Sequence, residues 1–417
     1  MLKTIITLPD GTEISSGSNS VNAIQSVTLT ECVNSGEDLT LGSTCANALE
    51  ATLLSPKGGL AIAAGTEIKV HKEDSAGVRT QVGIFVLEKP TRQSANTIKL
   101  TGYDRVSRLD KDLAMWISEL DGWPYTLIEF AKLVCEEGCG IPFIPSHVPN
   151  GDFKIYQFSR SVVTGRQIMQ WLGEICVRFC RANTNGEIEF AWYTDSGKTF
   201  SSSGEQYYFQ NSLTYEDFEV AGIEDVQIRL ADSDNGALWP TVDEGTNSYI
   251  ITGNPFLNSR VTEEDLPTIL SNIKTELEGV RYTPCKVSVP VCLDIRAGNL
   301  VTITDKNGKT ITTYVMTKTQ KGQQDTLEST GNYRRDSSSV VNNQSVSSMG
   351  ASAAKDAFDN VTAKQLFDKL TDGGRIQGIF SQDGHWVINA SVAVITNMVA
   401  NMITAGILQS KDKKTFT

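Results

Sequence analysis

Four cysteines fall into two C-x3-C pairs, Cys135 with Cys139 and Cys176 with Cys180, in a stretch of helical periodicity. Cys176 and Cys180 share one helix face, and four thiolates are a ligand set for zinc or an iron–sulfur cluster. Against a metal, such sites favour a tight turn between the first two ligands, whereas Gly138 marks a helix end. Cysteine also serves as a small buried hydrophobe. The expectation is packed thiols and no cofactor. Cys285 and Cys292 are seven apart, which puts them on opposite faces of a regular strand, and Pro290 disturbs even that. Eight cysteines in 417 residues read as reduced thiols and not as a disulfide framework.

The three histidines, His71, His147 and His385, lie in no HExxH-type zinc helix. A Cys–His nucleophile pair needs both residues in one domain. Only His71 (with Cys32 and Cys45) and His147 (with the four cysteines above) qualify, and neither has a nucleophile-site sequence around it. With 49 Asp and Glu, carboxylate pairs suited to glycoside hydrolysis arise by chance, so a carboxylate hydrolase stays open. No GxxxxGK[ST] phosphate loop occurs. The catalytic expectation is none.

The elements that position these residues change period along the chain. Residues 1–104 read as β, with a hairpin at Asp10-Gly11, strands near Ala23–Leu29 and Ala48–Leu54, then AGTEIKV, GIFVLEK and NTIKLTGYD, as in a small barrel or sandwich. Residues 105–200 are helical, with capping boxes at Thr126/Glu129 and Thr164/Gln167, a stripe through Ile168, Trp171, Leu172, Ile175 and Phe179, and a turn at Asn185-Gly186. Residues 201–331, after a Ser-rich joint at Ser201–Gly204, return to β. They carry expected strands at Leu213–Val220 and Ile223–Leu230, and a helix from Thr262 to Gly279. AGNLVTI (Ala297–Ile303) matches AGTEIKV (Ala64–Val70), and TLESTG (Thr326–Gly331) matches TIKLTG (Thr97–Gly102), in the same order, which reads as an internal duplication. Residues 332–350, Ser- and Asn-rich, read as a linker.

Residues 351–417 form a tail. Thr362/Gln365 starts a short helix, Ile376–Ile388 reads as a hairpin turned at Asp383-Gly384, and Ile388, Val392, Ile395, Val399 and Met402 follow heptad-like spacing. So little chain cannot bury itself, so these five are candidate assembly residues. The fold class is α+β and β-rich: two related small β-barrels separated by an α+β module, then a linker and a helical and hairpin assembly tail.

The net charge of −12 argues against broad nucleic-acid or anionic-membrane binding, without excluding DNA inside a channel. No apolar run is long enough to span a membrane. Met1-Leu2-Lys3 leads into a strand pattern with no signal peptide.

The tail motif L-F-x-x-L-T-x-x-G-x-x-Q-G-I-F, D-G-x-W-x-I-N-A-S and I-x-A-G-x-L, over Leu366–Leu408, resembles the tail-tip proteins of phages and prophages of Gram-positive bacteria. The Tyr103-Asp104-Arg105 triplet and T-x-R-Q-I-x-Q-W-L from Thr164 are similar to that family as well. The resemblance implies a non-enzymatic baseplate hub: a homotrimer whose two similar barrels per chain make a ring, adapting a sixfold tail tube to a threefold spike or fibre. Implied partners are tube or distal tail proteins and the central spike or fibre, with tape-measure protein or DNA passing through the channel. The implied location is the virion tail tip, or a headless tail-like particle, after synthesis in the bacterial cytoplasm. Two other readings are a tail-associated peptidoglycan hydrolase and a receptor- or glycan-binding tail protein.

Overall fold

The computed structural model describes residues 2–18, 20–56, 59–229, 235–240, 247–259, 265–335, 342–343, 378–382 and 385–389. The chain divides into two compact units, Met1–Asn360 and Val361–Thr417.

The first unit begins with β1 (Lys3–Thr7), β2 (Glu13–Ser15), β3 (Ala23–Cys32), β4 (Ala48–Leu54), β5 (Glu67–Glu73), β6 (Arg79–Leu87), β7 (Thr91–Arg92) and β8 (Thr97–Asp104). Their alternation is the cause of their pairing. In β4 and β8, Leu49, Ala51, Leu53, Ile98 and Leu100 point inward with Ile6, Ile68, Val70 and Phe85 to make one core, while the intervening positions are solvated. The ladder runs β3-β4-β8-β6-β5-β1-β2, with β7 on β8.

A helical module follows. The Thr126 and Thr164 hydroxyls each accept from the backbone N–H three residues on, and Glu129 and Gln167 return the bond, so both capping boxes form. They start α2 (Leu127–Leu133) and α3 (Gly165–Cys176), after α1 (Ala114–Glu119). Ile168, Met169, Leu172, Ile175 and Cys176 are the buried face of α3. Around the helices lie the short strands β9 (Tyr125–Thr126), β10 (Phe143–Ile144), β11 (Lys154–Ile155), β12 (Phe179–Ala182) and β13 (Ile188–Ala191). Gly42 lets the loop after β3 lie on α3, since a Cβ there would fall 2.1 Å from the Gln170 carbonyl oxygen.

The remaining strands are β14 (Thr194–Ser201), β15 (Thr214–Tyr215), β16 (Asp225–Arg229), β17 (Asn235–Trp239), β18 (Ser248–Thr252), β19 (Cys285–Pro290), β20 (Asn299–Thr304), β21 (Thr310–Tyr314), β22 (Thr317–Lys321), β23 (Gln324–Glu328) and β24 (Asn342–Asn343). They form three groups. β18-β16-β17-β24 is one sheet, which α5 (Asp265–Glu278) covers with Leu266, Ile269, Leu270, Ile273 and Leu277; the shorter α4 (Pro255–Ser259) leads into it. β14-β20-β21 is a second. β15-β19-β23-β22 continues into β3, so a single sheet of 12 strands crosses the first unit.

Three expectations change. Among the described residues neither half closes into a barrel. In the first half β2 and β3 meet only at one bridge, Ser16 to Ile24; in the second, β20 and β21 share a core with β19 and β23 but have no ladder to them. The supposed exit from the helical module, Thr194–Ser201, is β14, which runs parallel to β20 and belongs with the second half. Only Phe200 of that strand is buried, so its sequence lacks the usual strand pattern. The segment read as a linker starts docked, because Arg335 pairs with Asp38 at 2.8 Å and lies over the Tyr249 ring, and Asn342 and Asn343 extend the β17 edge.

In the second unit, β25 (Gly378–Gln382) and β26 (His385–Asn389) form an antiparallel hairpin on either side of 383–384, as the sequence indicates. Among the described residues no helix is long and apolar enough to cross a membrane.

Candidate functional site

The two halves are built alike. Asp74 and Asp305 open the same hairpin loop. Asp74 Oδ1 accepts from the N–H groups of Ala76 and Val78 at 2.8 Å, and Asp305 Oδ1 accepts from Asn307 and Lys309 at 2.7 and 2.8 Å. Gly77 and Gly308 follow three residues later at φ +82° and +86°, a conformation that favours glycine. Gly65 donates to the Leu87 carbonyl and Gly298 to the Val315 carbonyl, each at 2.7 Å. The two repeats noted in the sequence therefore align structurally, with one correction. Glu88 N–H bonds to Thr101 O as Met316 N–H bonds to Glu328 O, so Thr101 corresponds to Glu328 and not to Thr330. A two-residue slip keeps every side chain on its own face, which is why the letters alone misplace it.

On this correspondence β15-β19-β23-β22 repeats β3-β4-β8-β7, and β22 of the second half pairs antiparallel with β3 of the first, Thr317 opposite Cys32 through Lys321 opposite Thr28. The contact is heterologous: the last strand of one copy of the motif meets the first strand of the other. The same two edges stay open at the ends, β7 pairing only β8 and β15 pairing only β19 among the described strands.

Buried charge marks this seam. Lys318 Nζ lies 3.2 Å from Asp325 Oδ2 and donates to the carbonyls of Cys292 and Ile295 at 2.8 and 2.6 Å. Lys72 of β5 is buried nearby and donates to Thr4 Oγ1 at 2.9 Å. Burial lowers its ammonium to about 8, Asp325 pulling it back up and Lys318 pushing it further down. Glu31 holds the Arg296 guanidinium and the Ala297 N–H, each at 3.2 Å. Such groups fix register more than they add stability.

The four cysteines of the two C-x3-C pairs lie in or against the helical core. Cys135, Cys176 and Cys180 are buried in the helical core. The Cys135 thiol points to the Met169 sulfur at 3.8 Å, and that of Cys176 to the Gly173 carbonyl at 3.7 Å. Burial raises the Cys176 thiol to about 12 and the Cys139 thiol to about 11. Among the described residues no three His, Cys, Asp or Glu side chains are placed to hold a metal ion. His147 lines a cleft of about 750 Å³ beside α5, where Arg178 pairs with Glu276 at 2.7 Å and the described lining contains no cysteine. His71 lies on β5 opposite Gln81. Of the assembly candidates, Ile388 sits in β26 opposite Ile379, in a strand and not on a helical heptad; Val392, Ile395, Val399 and Met402 lie outside the described residues. Sequence reasoning missed the seam itself and the Lys72, Lys318 and Asp325 group. Lys72, on the same face of its strand as Ile68 and Val70, was the available signal; the strand TKTQK around Lys318 offers none.

No family model and no curated protein matches the chain. Solved structures do. The 43 kDa tail protein of prophage MuSo2 from Shewanella oneidensis is 12% identical at a TM-score of 0.49, over 78% of this chain and 96% of that one. A tail protein from Neisseria meningitidis MC58 is 11% identical at 0.46, over 78% and 95%. The prophage tail protein gp18 of Listeria monocytogenes EGD-e is 10% identical at 0.43, over 86% and 99%. These sources do not restrict a host to the Gram-positive bacteria.

Proposed function

We propose that this protein is a structural hub of a phage or phage-like tail tip, in which three copies form a ring around a channel and carry a spike or fibre. The observation that carries the reading is the heterologous β22–β3 contact between two like halves. A head-to-tail contact repeated between chains closes a ring when its rotation allows, and three chains then present six equivalent motifs. That arrangement is suited to matching sixfold and threefold symmetries. The motifs at Leu366–Leu408 add independent support. In this reading the protein performs no chemistry, its domains serve as two ring segments, a helical module and an assembly tail, and its partners are tube and spike proteins.

The mass of the purified chain in solution tests it. Light scattering at micromolar concentration is expected to give three times the 45.4 kDa chain mass. A monomer at that concentration rejects the ring.

A further inference from the structure

A cavity of about 390 Å³ opens between α3, the loop after β3 and the end of β18. Trp171 and Glu174, three residues apart, stand on one face of α3 and form one wall. Loop residues between Asn34 and Ser43 make the facing wall, and Thr252 lies at the edge. Hydrogen bonds fix that loop: Leu41 N–H donates to the Tyr249 hydroxyl at 2.8 Å, Thr330 Oγ1 to the Gly36 carbonyl at 2.8 Å, and Cys180 N–H to the Ser43 carbonyl at 2.9 Å. The cavity is therefore preformed, as ligand sites usually are.

Among its described lining residues Glu174 alone carries a charge; the others are hydroxyls, amides, glycines, Leu41 and Trp171. Glu174 Oε2 accepts from Asn254 Nδ2 at 2.9 Å, and the same amide donates to the Trp171 carbonyl at 2.9 Å. Burial raises the carboxyl from 4.5 to about 7, opposed by that Asn254 bond. No Lys or Arg among the described residues pairs with it. A carboxylate recessed among neutral acceptors lacks its counter-charge.

We propose that this cavity binds an alkylammonium group of the lysine side-chain type, with Glu174 as its counter-ion and Trp171 against the alkyl chain. An ammonium fits better than a guanidinium. The guanidinium fork is matched to both carboxylate oxygens, and Asn254 already holds Oε2, whereas a compact ammonium needs one oxygen. Its other two N–H donors meet the hydroxyl and backbone acceptors of the loop wall. Below about pH 7 the empty site holds a proton on Glu174, and the incoming ammonium displaces it to solvent. The neighbouring titratable groups do not interfere. Burial lifts the Tyr249 phenol on β18 well above its ordinary value, so it stays neutral. Asp38 of the loop is held by Arg335 at 2.8 Å, and the turn around Asn254 has no titratable side chain. The inference stands apart from the tail-hub reading.

The full chain is titrated by NMR with Nα-acetyl-lysine methylamide, with its norleucine equivalent, which lacks the ammonium, and with butylamine. At pH 8 the lysine probe should bind at least about tenfold tighter than the norleucine probe. Its affinity should fall about tenfold between pH 8 and pH 6, as the proton competes for Glu174. Butylamine binding as well as the lysine probe assigns the site to free amines; weaker butylamine binding assigns it to lysine in a peptide chain. Glu174→Gln keeps an acceptor for Asn254, and should lose about tenfold in affinity together with the pH dependence. A Glu174 that only holds Asn254 against α3 produces none of these effects. Absence of lysine-probe binding, equal binding of the norleucine probe, or an affinity flat between pH 6 and pH 8 overturns the proposal. So does a folded Glu174→Gln chain that binds as wild type does. The first three readings need no variant, so they decide the matter even where Glu174→Gln fails to fold.

Discussion

Lys318 and Asp325 face each other at 3.2 Å across the β22–β23 hairpin, their side chains 5% and 0% exposed. Asp325 Oδ2 also accepts from the Cys292 N–H at 2.8 Å, whereas Oδ1 has no hydrogen-bond partner among the described residues. Removing the carboxylate alone leaves Lys318 and Lys72 buried as two cations. Asp325→Leu is therefore expected to cost about 3–5 kcal/mol of unfolding free energy in a urea titration, and Lys318→Met a similar amount. The double variant should cost no more than either single one, because no uncompensated charge of the pair remains. A fully additive double variant contradicts the pairing.

Asp104, from the Tyr103-Asp104-Arg105 triplet, accepts from the Val106 N–H through Oδ1 at 3.1 Å, while the buried Oδ2 has no partner among the described residues. Burial raises its carboxyl from 3.8 to about 7, against the bonds from the backbone of Asn47 and Val106 and the nearby charges of Arg166 and Arg296. The folded chain thus binds a proton that the unfolded chain releases between those values. Its contribution is fully present below pH 3.8 and is lost as pH rises through 7. Asp104→Asn keeps the Oδ1 acceptor and has no charge to bury. Relative to wild type it should gain about 2–4 kcal/mol between pH 4 and pH 8. A difference that is flat with pH rejects the assignment.

Local structure was legible where a single segment decides it. Thr126/Glu129 and Thr164/Gln167 announce their helices because a capping box is closed within four residues. Ala48–Leu54 is a strand with the bounds its alternation suggests. Leu213–Val220 shrinks to the pair Thr214–Tyr215 and a single bridge from Val220 to Tyr282, since only partners far away in sequence decide how much of an apolar run is bonded. The seam was illegible for the same reason: nothing around Thr317 names Cys32 as its neighbour. The repeat was visible in Ala-Gly and alternation, yet its register needed the hydrogen bonds of Glu88 and Met316.

The tail supplies a separate test of assembly. From Asn389 to Ser410 the sequence has no Asp, Glu, Lys or Arg, while Val392, Ile395, Val399 and Met402 repeat at three and four. If this stripe joins copies, Ile395→Asp with Val399→Asp lowers the association constant measured by sedimentation by at least about tenfold, the effect of losing roughly 1.4 kcal/mol. The main melting transition, which reports the first unit, should not move. Unchanged assembly, or loss of that transition, counts against the stripe.

The open edges carry a sharper prediction, because the repeat fixes a register. Tyr215 occupies the place of Leu29, since it pairs with Cys285 as Leu29 pairs with Leu49. Arg92 occupies the place of Gln320, four residues after Glu88 as Gln320 is four after Met316. Within the chain Gln320 stands opposite Leu29. A repeat of that contact between chains puts Arg92 of one copy opposite Tyr215 of the next, close to Glu216 and Asp217. Arg92 is exposed, and Tyr215 already accepts a cation on its ring, Lys309 Nζ at 4.5 Å. Arg92→Glu then sets a carboxylate against two acidic residues of the neighbour, and like charges across a strand pair are repulsive. The expected result is a lower mass by light scattering, with the melting midpoint lower by only about 1–4 °C, the cost of the bonds that Arg92 Nη1 donates to the Ser55 and Ala95 carbonyls at 2.8 and 3.2 Å. Adding Glu216→Lys should restore the mass. An Arg92→Glu chain that assembles as well as wild type removes β7 and β15 as the contact between copies.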